Sequence, residues 1–93
     1  MTGAPMTGAA LRRRVAELVA TASDGEIGPD EAAAETGSLT VLGFSSLGYL
    51  RLVDSIEEEF GVYLDLAGPV TYLQTVAALA DHLVSRGVPV EPA

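Results

Sequence analysis

The apolar positions of this chain fall on three helical faces. At about 100° per residue, Leu11, Val15, Leu18, Val19 and Ala22 share one arc, while Arg12, Arg13, Ala16, Glu17 and Ala20 lie outside it. This predicts a helix over Leu11–Ala22 with Thr7 as its cap and Glu17 one turn from Arg13 and Arg14. From Ser46 to Phe60 the apolar side is Tyr49, Leu50, Leu52, Val53, Ile56 and Phe60. The polar side is Gly48, Arg51, Asp54, Ser55, Glu58 and Glu59. Ser45 or Ser46 caps this helix, and Gly61 suits its end. Leu47 is out of phase, among the polar residues. Thr75 caps a last helix, Val76–Ser85, with Val76, Leu79, Ala80, Leu83 and Val84 inward.

Two connections separate these helices. Ser23–Thr40 is long and punctuated by Gly25, Gly28, Pro29 and Gly37. Pro29–Glu35 suits one or two helical turns, and Ile27, Leu39, Val41 and Leu42 are the expected anchors to the core. Val62–Gln74 has room for a short third helix at Val70, Tyr72 and Leu73. No segment alternates convincingly with period two. The expected fold is all-α: a four-helix bundle with three longer helices, one short helix and a long first loop.

Length and charge narrow the function classes. A chain of 93 residues suits one domain, expected at residues 11–87, with a flexible N-terminus at 1–10 and a tail at 88–93. Met-Thr-Gly-Ala occurs twice, at Met1 and Met6, too short for a structural repeat. Cysteine is absent, which excludes disulfides and cysteine nucleophiles. A single histidine, His82, rules out a multi-histidine metal site and is read as a solvated or half-buried helix residue. The formal net charge is −8, and all five basic residues are Arg. That argues against nucleic acid or an anionic membrane as partner. No apolar run is long enough to span a membrane, and no signal peptide is visible. A cytoplasmic monomer is expected.

Little here could form an active site. Glu57-Glu58-Glu59 is a helical run whose members point in different directions, read as a solvated face. No phosphate-binding glycine loop, metal cluster or nucleophile elbow is present, so no catalytic residue is assigned and no enzyme is expected. The paired serines remain. Capping alone can explain them, but they follow a long loop closed by Gly43 and precede the out-of-phase Leu47. A phosphodiester attached there would be favoured by the helix dipole.

Leu42-Gly43-Phe44-Ser45-Ser46-Leu47 resembles the Leu-Gly-x-Asp-Ser-Leu motif of acyl and peptidyl carrier proteins. Ile56-Glu57-Glu58-Glu59-Phe60-Gly61-Val62 resembles the end of their second helix, and Leu73-Gln74-Thr75-Val76-Ala77-Ala78-Leu79-Ala80 the entry to their last. The three segments occur in the family's order, and the likeness runs from about Leu11 to Gly87. The resemblance implies that Ser46 carries 4′-phosphopantetheine, placed there by a phosphopantetheinyl transferase. It also implies a role as carrier of thioester intermediates, passed from adenylation or acyl-loading enzymes to downstream assembly-line enzymes. Leu47, flanked by Gly48, Arg51 and Asp54, would meet those partners. One position departs from the motif: Ser45 stands where acyl carriers usually have Asp and peptidyl carriers Asp or His. This bears on priming efficiency and on which transferase acts. Leu50-Arg51-Leu52-Val53 looks more like peptidyl carriers, so a free-standing peptidyl carrier of natural-product biosynthesis is the first expectation. An acyl carrier of polyketide or fatty-acid synthesis is the second. An unmodified helical interaction module is the alternative of another class.

Overall fold

The structure, a computed structural model, describes residues 6–91. Among the described residues four helices make the bundle: α1 (Gly8–Ala22), α2 (Pro29–Ala34), α3 (Ser46–Phe60) and α4 (Val76–Ser85). Single 3-10 turns at Leu39–Leu42 and Thr71–Leu73 lead into α3 and α4. Two short strands, β1 (Met6–Thr7) and β2 (Val90–Glu91), pair in parallel, Met6 opposite Val90 and Thr7 opposite Glu91. The helix α1 packs against all three others.

Local chemistry sets the helix ends. Thr7 Oγ1 accepts from the Ala10 N–H at 3.0 Å, and Thr75 Oγ1 from the Ala78 N–H at 3.0 Å. Each satisfies a donor that the first helical turn leaves without a partner. Gly61 ends α3 in the left-handed conformation, φ 68°. There Glu57 Oε2 accepts from the Leu64 N–H at 2.9 Å and turns the chain back, burying Leu64.

The core is the expected set with informative exceptions. Leu11, Val15, Val19, Leu52, Ile56, Val76, Leu79 and Leu83 are buried, together with Ile27, Leu39 and Phe44 from the connections. Full burial of such a side chain stabilises by roughly 1.5–3 kcal/mol. Ala16, placed outside the arc by periodicity, is fully buried. Since α1 has partners on several sides, its buried arc is wider than a one-sided wheel predicts. Val41, expected as an anchor, is 74% exposed. It lies in a 3-10 turn of three residues per turn, so Leu39 and Leu42 share the inward direction and Val41 faces away. Leu50 and Val84 are likewise exposed. Leu50 lies roughly 120° from Ile56 on the wheel, beyond the face that meets α1.

The chain ends differ from expectation too. Met6–Ala10, expected to be frayed, form β1 and the first turn of α1. Val88 is buried and Val90–Glu91 pair with β1, where a tail was expected. The remainder of both expected flexible ends, residues 1–5 and 92–93, lies outside the described residues.

Two of the three consecutive glutamates are engaged, correcting the reading of that run as a solvated face. Besides Glu57, Glu59 receives both arms of Arg14, Nε to Oε2 at 2.7 Å and Nη2 to Oε1 at 2.6 Å. This fork ties α1 to the last turn of α3. Its hydrogen bonds hold the Glu59 carboxyl below its ordinary range. The pair is part-exposed, so its contribution to stability is small. The expected Glu17 contacts with Arg13 and Arg14 are also present.

Candidate functional site

The 3-10 turn at Leu39–Leu42 is capped by Ser38 Oγ, which accepts from the Thr40 N–H, and is closed by Gly43 in the left-handed region, φ 89°. The Leu39 N–H donates to the Gln74 carbonyl at 2.7 Å, fixing this turn against the second connection. The chain then drops the Phe44 ring into the core and emerges at Ser45.

Ser45 is the cap of α3. Its backbone is extended and its Oγ accepts from the Gly48 N–H at 3.0 Å. Ser46 is the first helical residue and is exposed. The Tyr49 N–H bonds the Ser45 carbonyl. The N–H groups of Ser46 and Leu47 are therefore the helix's open donors. A negative group on Ser46 would meet them at the positive end of a 15-residue helix.

Gly48 corrects the sequence reading. It was expected on the polar side, beside Leu47, as a residue that meets partners. It is buried instead, because it lies one turn before Leu52 on the inward side of α3. The Phe44 ring occupies the space a side chain would fill: a Cβ on Gly48 would stand 2.6 Å from Phe44 Cε1. The same ring meets Tyr49 edge-on, with centroids 4.7 Å apart. Phe44 is thus wedged under the first turn of α3, where it holds the Ser45–Ser46 corner. Tyr49 is half-buried, and desolvation raises its phenol above the ordinary value.

Leu47, Arg51 and Asp54 are exposed. Arg51 Nη1 donates to Asp24 Oδ2 at 3.0 Å, across to the turn that follows α1. Asp24 is the only non-glycine residue with positive φ among the described residues, at 58°. Two depressions lie at this end of the molecule. One, of about 320 Å³, lies between the turn after α1 and the Leu42–Gly48 corner, with Asp24, Ile27, Leu42 and Arg51 in its walls. The other, of about 450 Å³, is lined by Ser38, Tyr49, Val70 and Leu73, among others.

Sequence reasoning missed Asp24, Phe44 and the exposed Val41 and Leu50. The Asp24-Gly25 pair is a turn signal, and it could have flagged a left-handed acid. The partner of that acid, in a helix 27 residues on, could not be read from spacing. His82 is half-buried as expected and stacks on Tyr72, with ring centroids 3.8 Å apart and 9° between planes. Among the described residues no group of His, Asp and Glu could hold a metal ion, and no helix is long and apolar enough to cross a membrane.

Residues 9–83 match the family model for the phosphopantetheine attachment site. The chain belongs to this phosphopantetheine-binding family, whose members are generally non-catalytic carrier domains. The group they hold is 4′-phosphopantetheine, bound covalently on a serine. The corner is chemically suited to such a group: it has an exposed hydroxyl at a helix start, beside two N–H groups that the helix leaves open. The family implies a phosphopantetheinyl transferase and synthase enzymes as partners. The resemblance read from the three sequence segments is therefore confirmed, as is the acyl-carrier type of bundle. No curated protein sequence and no solved structure matches the chain.

Proposed function

We propose that Ser46 is the attachment serine, and that this chain is a non-catalytic carrier in natural-product biosynthesis, of the peptidyl type. The observation that carries the assignment is the division of labour at the corner. Ser45 Oγ takes the cap, which leaves the Ser46 hydroxyl outside it at the first helical position. In the loading reaction Ser46 Oγ loses its proton and bonds to the pantetheine-bearing phosphorus of coenzyme A; the pyrophosphate P–O bond breaks, phosphopantetheine passes to the serine as a phosphodiester, and adenosine 3′,5′-bisphosphate leaves. When bound, the arm supplies a thiol that holds an acyl or aminoacyl group as a thioester. The protein's own part is to hold the corner rigid through Phe44 and the cap, and to offer the Ser46 and Leu47 N–H groups to the phosphate. Incubation with coenzyme A and a broad-specificity phosphopantetheinyl transferase should add one phosphopantetheine to the intact mass. An unchanged mass would sink the carrier reading in favour of an unmodified interaction module.

The peptidyl type rests on Leu50-Arg51-Leu52-Val53 and on an α3 without an acid in its first turn. The docking face on this reading is Leu47 with Arg51 and Asp54, joined by Leu50 and Val41; Gly48 has no part in it. Large apolar side chains this exposed beside a modification site suit a protein partner. Leu47→Ala should slow transfer to and from partner enzymes at least several-fold, with unchanged helicity by circular dichroism. Equal transfer rates would remove Leu47 from the interface.

A further inference from the structure

Two depressions flank the corner that carries Ser46, and they differ in chemistry. The one lined by Tyr49, Val70 and Leu73 is mainly apolar. The other has an apolar floor of Ala22, Ile27 and Phe44 under a polar rim of Ser23, Asp24, Glu26 and Arg51. Both chain neighbours of Ser46, Ser45 and Leu47, line this second groove. We propose that the pantetheine arm, rather than lying free in solvent, rests in the groove between the Ser23–Ile27 turn and the start of α3. The inference rests on Ser46 being the attachment site.

Three observations converge on it. The first is chemical match. The arm carries two amides, a hydroxyl and a geminal dimethyl group. The carboxylates of Asp24 and Glu26 can accept from its N–H and O–H groups. The Arg51 guanidinium can donate to its carbonyls, and Ile27 and Leu42 offer apolar contact to the dimethyl carbon. The second is how the groove is closed. Asp24 stands on one wall and Arg51 on the other, and their 3.0 Å ion pair bridges them. The side chains remain 77% and 47% exposed, so the pair is weak and easily exchanged for contacts to a ligand. The third is the backbone. Asp24 adopts a left-handed conformation that costs energy in most residues. Ser23 Oγ, which donates to the Ala20 carbonyl and accepts from the Ile27 N–H, holds this turn in place. The acid is thereby fixed at the groove rim. Tethering adds to these: a covalently attached arm faces its groove at high effective concentration, so weak contacts suffice. A partner that covers Leu47 and Arg51 would take the same contacts and release the arm.

The test is an amide NMR comparison of the uniformly labelled chain before and after loading, with intact mass confirming one arm per chain. Loading should move the amides of Ser23–Ile27 and Arg51 as strongly as those of the corner itself. Nuclear Overhauser contacts should join the geminal methyls to Ile27 or Leu42. Asp24→Asn, which keeps a residue tolerant of positive φ, should shrink the shifts at Glu26 and Ile27 without reducing the loaded fraction. Shifts confined to residues 44–49 would place the arm in solvent, and shifts centred on Ser38, Val70 and Leu73 would place it in the other depression. Either outcome overturns the proposal while leaving the carrier assignment intact. A chain that takes up no arm by mass overturns both.

Discussion

Ser46→Ala will take up no phosphopantetheine, and Ser45→Ala will still take up one. The two hydroxyls are adjacent in sequence but do different work. Ser45 Oγ is committed to the Gly48 N–H, the third donor of α3. Removing it should cost about 1 kcal/mol, the usual loss for a serine cap replaced by alanine. It should also loosen the turn that presents Ser46, so loading should slow without stopping. Ser46 Oγ is outside the cap, and its loss should leave stability within about 0.5 kcal/mol, as for other surface changes, while abolishing the product. Intact mass after transferase treatment reads the first effect and a thermal melt the second. If Ser45→Ala blocks loading and Ser46→Ala does not, the register of the motif is shifted by one.

Gly48→Ala should destabilise the fold even though it improves the helix. Alanine in place of a helical glycine gains about 1 kcal/mol from propensity alone. Here the new Cβ would stand 2.6 Å from the ring of Phe44, a side chain already buried and braced by Tyr49. Overpacking of this kind costs about 1–3 kcal/mol. The expected net loss is about 1 kcal/mol, seen in a domain this size as a fall in Tm of about 4–8 °C. Phe44→Leu should remove the conflict, so that Gly48→Ala becomes neutral or stabilising in that background. The sign reversal in the double-mutant cycle is the diagnostic. A higher Tm for Gly48→Ala alone would show that Phe44 yields and does not hold the corner. Loading should follow stability, because the displaced ring is the support under Ser45 and Ser46.

The parts of this fold legible in sequence were those fixed by neighbours in the chain. Thr7 and Thr75 act on donors three residues away, and Gly61 needs only its own backbone freedom. The family motif was legible for the same reason, as its register depends on contiguous residues. What escaped depended on residues distant in the chain or on small side chains that periodicity weighs poorly. Ala16 and Gly48 contribute little to an apolar wheel, yet both are buried: Ala16 on a helix with partners on several sides, and Gly48 where the Phe44 ring needs the room it leaves. Val41 was misplaced because a 3-10 turn has a different angular step from an α-helix. The Asp24–Arg51 bridge depends on two walls that only the packed bundle brings together.

The parallel pairing of Met6–Thr7 with Val90–Glu91 has a consequence for the order of folding. It joins the first described element to the last, and so closes nearly the whole chain into one ring. Ring closure of that size costs entropy that four paired residues cannot offset by themselves. The clasp must therefore form after the helices have packed, and during synthesis only once Val90 has cleared the ribosome. It should also be the first part to open in the finished protein. Its amides would then exchange with solvent through local fraying, long before the bundle around Leu52 and Ile56 lets go.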